Sequence, residues 1–208
     1  ERNIYSDLLR EFIKHGHKVC CISPLDGNTH QKTHLLRFEE HCILKLKTGS
    51  TQKNNLIKKG ISILGIESQF IRGIKKYFAD VKFDLVLYAT PPVTFAKVIS
   101  FVKKRDHAKT YLMLKDIFPQ NSVDLGMLKK TGPKGLIYRH FRSKERKLYD
   151  LSDRIGCMSP ANVEYLLRHN PEIPAEKVEV CPNSIAVRDM SLSPEERISI
   201  REEYGIPQ

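Results

Sequence analysis

The 208-residue sequence predicts a doubly wound α/β domain, a mostly parallel sheet with helices on both faces. Three observations carry this. Short, nearly unbroken apolar runs alternate with segments of helical periodicity, as expected for strands buried on both sides. The runs end in polar residues and prolines, as strand-to-helix turns do. With 40% hydrophobic residues, a chain of this length supplies one sizeable core.

The elements follow in chain order. Ile4, Leu8, Leu9, Phe12 and Ile13 recur at helical spacing, and Gly16 is placed to stop that helix before a strand over 19–22. Residues 42–46 and 61–64 read as further strands, with a polar, mobile loop over 26–33 between the first two. From Phe83 the alternation is sharper: strand 85–89, helix 95–104, strand 110–114, and a long basic helix over 134–151. A strand over 154–158 comes next. Ser159 and Pro160 then supply the cap and first residue of a helix over 161–169. The strand 178–181 and a last helix, opened by Ser193, Pro194, Glu195 and Glu196 and ended at Gly205, complete the series. There is no internal repeat, heptad or low-complexity tract. A helix at the start is unusual for this architecture, and REEYGIPQ stops where a strand is expected, so both ends read as cut.

No apolar run of membrane-spanning length occurs, and ERNIYSDLLREF lacks the basic-then-apolar pattern of a signal peptide, so a soluble chain is expected. Cys20, Cys21, Cys42, Cys157 and Cys181 form no CxxC pair and sit mostly in apolar runs, which reads as small buried thiols in a reducing, cytoplasmic compartment. Lys and Arg total 35 against 24 acids, a net charge of +11 that favours phosphates of nucleic acid, nucleotides or a membrane surface. The basic residues concentrate in 129–147, where solvation of an exposed helix is the competing explanation.

Ligands of open parallel sheets bind beyond the carboxyl ends of the strands. Those positions hold Ser23 and Pro24; Thr90, Pro91 and Pro92; Lys115, Asp116, Pro119, Gln120 and Asn121; Ser159, Pro160 and Asn162; and Pro182, Asn183 and Ser184. Any one such loop is explained by turn and cap chemistry alone; several together point to a binding crevice. No GxGxxG, GxxxxGK[ST] or GxSxG motif occurs, which disfavours dehydrogenases, P-loop enzymes and serine hydrolases. His30, His34 and His41 have no fixed carboxylate partner, so solvated histidines are expected rather than a metal site.

Three stretches, IYSDLLREFIKHGHKV, MLKDIFPQNSVDLGML and SDRIGCMSPANVEYLLRHNPEIPAEKVEVCPNSI, resemble the amino-terminal half of family 4 glycosyltransferases, nearest to the bacterial surface-polysaccharide group that includes L-fucosamine transferases. The resemblance implies a GT-B fold, two Rossmann-like domains across a cleft, with the acceptor on the first and the nucleotide-sugar on the second. Residues 1–185 would be the acceptor-side domain, lacking its first strand. Residues 186–208 would be a linker and the start of an absent donor-binding domain of the same full-length protein. The resemblance places Asp116 at the Asp of the family's D-x-x-P segment, as the group that orients or deprotonates the acceptor hydroxyl. Lys115 stands where wider members often have His; Asn121, Ser159, Asn162 and Asn183 would line the acceptor cleft.

The family implies retention of anomeric configuration with a nucleotide-sugar co-substrate, no obligatory metal and no cofactor. A lipid-diphosphate-linked acceptor would give Lys129, Lys130, Lys134, Arg139 and Arg142 a membrane-facing role on the inner face of the plasma membrane, in capsule or O-antigen synthesis. Two alternatives remain open at this level: a basic α/β module for nucleic acid, poorly served by the few aromatics Tyr138, Phe141 and Tyr149, and an inactive scaffold that binds a sugar-phosphate.

Overall fold

The computed structural model describes residues 3–25, 30–48, 56–187 and 192–207, without the side chains of 56–64. Its order is α1 (Ile4–Lys14), β1 (Val19–Pro24), β2 (His34–Arg37), β3 (His41–Leu46), α2 (Leu56–Tyr77), β4 (Leu85–Thr90), α3 (Ala96–Asp106), β5 (Lys109–Leu114), α4 (Gln120–Asp124), α5 (Gly132–Leu151), β6 (Arg154–Cys157), α6 (Pro160–His169), β7 (Val178–Val180) and α7 (Pro194–Glu203). Strands β4, β5, β6 and β7 form a parallel sheet flanked by helices, the α/β class anticipated.

Two features differ from expectation. The first three strands form their own sheet in the order β1-β3-β2, with β1 parallel and β2 antiparallel to β3. Among the described residues no strand pairs with the outer edge of β1 or of β4. The strand expected over 61–64 lies inside α2. Its β-branched ISIL run belongs to a helix whose Phe70 and Ile74, followed by Phe78 just past its end, recur every four residues and bury against β3 and α3. Part of the loop expected over 26–33, residues 26–29, lies outside the described residues.

The cysteine reading is also corrected. Cys20 and Cys42 lie directly opposite on β1 and β3, with Cα atoms 4.7 Å apart, and form a disulfide. Cys157 is the buried free thiol anticipated, its pKa pushed up to about 11 by burial.

Two apolar clusters hold the layers. One joins Leu112, Leu114, Ile155 and Cys157 of the parallel sheet to Leu148 and Tyr149 of α5 and Leu166 of α6. The other packs Cys42, Leu44 and Leu46 of β3 under Phe70 and Ile74 of α2 and Val98 and Val102 of α3. Glu67 of α2 links neighbouring helices by accepting from the backbone N–H of Lys97, in the first turn of α3, at 2.7 Å. Asp153 ties α3, β5 and the α5–β6 turn: its Oδ2 accepts from Lys103 Nζ (2.9 Å) and from Thr110 N and Oγ1 (2.8 Å each). Burial opposes its charge, but these hydrogen bonds win and hold its carboxyl below the usual range.

In β6, a Cβ on Gly156 would come within 2.5 Å of Cys181 Cβ and closer still to Tyr111 Oη, which donates to Glu179 Oε1 at 2.7 Å. Gly156→Ala is expected to destabilise the fold by about 1–3 kcal/mol through overpacking, read by denaturant unfolding; an unchanged midpoint contradicts that close approach.

Candidate functional site

The parallel register lines up Thr90, Leu114, Cys157 and Val180 across the four strands. Just beyond that row lie Pro91 and Pro92, Lys115 and Asp116, Ser159, and Pro182 and Asn183, so these turns share one end of the sheet. The peptides before Pro91, Pro92 and Pro119 are cis.

Asp116 sits two residues past the end of β5, half-buried. Asn121, in the first turn of α4, donates its amide Nδ2 to both carboxylate oxygens at 2.7 Å. Buried Thr90 reaches across from β4 and donates its Oγ1 to the Asp116 carbonyl at 3.2 Å. Below, Phe118 packs edge-on to Phe141 of α5, ring centroids 5.0 Å apart, which seats the loop on the helix. The carboxylate is thus held by an amide, and the loop that carries it by an aromatic pair. Its arrangement suits accepting a proton or hydrogen bond from a hydroxyl brought to the sheet end. Lys115 is half-buried beside it.

The other residues singled out from the sequence have different surroundings. Ser159 is the N-cap of α6: its Oγ accepts from Asn162 N at 3.2 Å and meets Asn162 Oδ1 at 3.0 Å. That pair shares the sheet end with Asp116, because β5 and β6 are neighbours ending in register at Leu114 and Cys157. Asn183 is exposed on the segment after β7.

Lys129, Lys130, Lys134 and Arg139 are exposed on and before the first turns of α5, but Arg142 turns inward. Its guanidinium donates to the buried Glu145 Oε2 at 2.6 Å and to Asn170 Oδ1. Arg139, Arg142, Ser143, Arg146, Lys147 and Asp150 line a shallow cleft of about 360 Å³ along α5. Of the histidines, His41 stacks on Phe38 at 4.3 Å and His34 Nδ1 meets Lys32 O. Among the described residues no group of three or more His, Cys, Asp and Glu converges to hold a metal. Sequence reading found the rim residues but not Thr90 as a support of the Asp116 loop; its signal was a threonine ending an apolar run directly before two prolines.

A parallel sheet whose polar carboxyl end carries a braced carboxylate defines an α/β domain of the class that binds ligands at that end. Residues 3–188 match the family model described as Glycosyltransferase Family 4, and the chain belongs to that family. It is also similar to a solved structure described as "Trehalose-6-phosphate from E. coli bound with UDP-2-fluoro glucose", at 10% identity and a TM-score of 0.62, over 99% of this chain and 52% of that one. The likeness is one of fold, and the chain spans about half of that relative's length, 52%. No curated protein matches the sequence.

Proposed function

We propose that this chain is the acceptor-side domain of a retaining glycosyltransferase that moves a sugar from a nucleotide-sugar to a polysaccharide or lipid-linked acceptor. The family match over residues 3–188 carries the class. The braced Asp116 carboxylate at the sheet end supports the acceptor assignment. Transfer needs the acceptor hydroxyl held in line with the anomeric carbon and relieved of its proton as the new bond forms. Asp116 does both on this reading, with Asn121 fixing its rotamer; Lys115, Ser159, Asn162 and Asn183 border the acceptor. The leaving nucleotide's charge falls to a donor-binding domain of the full-length protein, and the chemistry proceeds without a metal.

The reading extends to a cytoplasmic enzyme peripheral to the inner face of the plasma membrane, working in bacterial surface-polysaccharide synthesis as L-fucosamine transferases do. Calorimetric titration of this chain with lipid-diphosphate-linked sugars in detergent, and separately with nucleotide-sugars, tests it. Acceptor binding weakened by Asn121→Ala is the expected result. Binding of nucleotide-sugars with none of acceptor would overturn the acceptor assignment.

A further inference from the structure

Soluble surfaces seldom leave several large aliphatic side chains uncovered along one short, folded stretch of chain. The α4–α5 corner does: Leu125 is 70% exposed, Met127 57%, Leu136 63% and Ile137 48%. The corner is built, not loose. Gly126 makes the turn at φ +71°, and Leu128 N–H returns to Ser122 O at 2.9 Å. Gly135 packs so closely on the preceding turn that a Cβ would lie 2.6 Å from Lys130 O. Lys134 Nζ reaches Met127 O at 3.5 Å, and Lys130 Nζ lies over the Tyr138 ring, 5.8 Å from its centroid. Lysines and aliphatic groups are therefore interleaved on one short, folded stretch. From Leu125 to Lys144 the sequence holds no acidic residue, while Lys129, Lys130, Lys134, Arg139, Arg142 and Lys144 are all basic.

We propose that this corner docks on an anionic bilayer, with Leu125, Met127, Leu136 and Ile137 inserted beneath the head groups and Lys129, Lys130 and Lys134 on the lipid phosphates. The chemistry selects lipid over other polyanions. Lysines are hydrated point charges that suit mobile phosphates, and the apolar groups between them gain only where an acyl layer accepts them. Nucleic acid would leave those aliphatics wet, and Tyr138, the ring at hand for stacking, already lies under Lys130. Each lysine at an anionic surface adds roughly five-fold to partitioning. Docking rests on the proposed function only for its purpose, bringing the acceptor cleft to a lipid-linked substrate.

The sequence contains no tryptophan, so Leu136→Trp gives a single emitter at the corner and Val187→Trp, at a 95% exposed position, a control. Vesicles of phosphatidylcholine, with and without about one third phosphatidylglycerol, are titrated with the chain. The expected result is a blue shift of the Leu136→Trp emission, quenched by brominated acyl chains, on anionic vesicles, with the control unchanged. Leu136→Ser/Ile137→Ser is expected to lower vesicle binding about ten-fold even where salt screens the lysines, with circular dichroism unaltered. Unshifted emission with binding abolished by salt, or equal binding by the serine variant, would overturn insertion; so would RNA binding without vesicle binding. Vesicle binding without acceptor binding defeats the proposed function and leaves docking standing; the reverse defeats docking alone.

Discussion

Glu145→Ala is expected to destabilise the fold by about 3–5 kcal/mol, because it removes one member of a buried charged network. Glu145 lies on the inner face of α5, where Oε1 accepts from Tyr149 Oη at 2.5 Å and Oε2 from Arg142 Nη1 at 2.6 Å. Arg142 also donates to Asn170 Oδ1, and Asn170 Nδ2 donates to Leu166 O at 2.7 Å, so the network joins α5 to the end of α6. Without the carboxylate, a guanidinium and a phenol are left poorly paired in the core. Burial raises the Glu145 pKa despite the hydrogen bond from Tyr149 and the charge of Arg142, and it pushes the Tyr149 hydroxyl well above its ordinary range.

The sign of the pH dependence follows from that rise. A carboxyl whose folded pKa exceeds its unfolded value contributes most below the unfolded value, about 4.3, and loses that contribution as pH climbs through the folded one. Glu145→Gln keeps an acceptor oxygen for Arg142 and offers its NH2 to the Tyr149 hydroxyl as a donor, so it should lose less than the alanine variant. The wild-type advantage over it is expected to narrow as pH rises. Denaturant unfolding of the three proteins between acid and neutral pH measures this, and an alanine variant as stable as wild type would show the network to be idle.

On the proposed function, Asp116→Asn is expected to lower kcat/KM of the full-length protein about 10²- to 10⁴-fold, the range general-base loss produces, with little change in melting temperature. The substitution keeps the size of the side chain, but an amide neither takes a proton nor accepts twice from Asn121. Asn121→Ala acts through Asp116, by freeing its rotamer, and should lower kcat as well as weaken acceptor binding. Turnover by Asp116→Asn at the wild-type rate, with several nucleotide-sugars, would remove Asp116 from the mechanism.

The second half of the fold was readable because its signals agree. From β4 to β7, continuous apolar runs alternate with periodic segments, and Ser159-Pro160 marks a helix start that the structure caps in the expected way. The first half mixed its signals. ISIL has the branched residues of a strand, and only the spacing of Phe70, Ile74 and Phe78 beyond it shows that a helix continues. HLLR, the strand β2, is short and pairs antiparallel through a turn closed by Phe38 N and His41 O. The Cys20–Cys42 pairing depends on the register of β1 against β3, which no local pattern encodes. At the site, the loop residues were legible as polar groups after strands. Their division of labour was not: that Asn121 grips Asp116 while Asn162 serves a cap follows from where α4 and α6 begin.

Among the described residues the outer edges of β1 and β4 carry no strand partner, and those edges impose a handling limit on the protein. Each presents a row of amide and carbonyl groups on a strand rich in valine, leucine, isoleucine or cysteine, the composition that recruits further backbone. As chains crowd together, such flanks zip onto one another, so purified material should thicken into oligomers with concentration, and a lysine placed at exposed Leu85 should keep it dispersed.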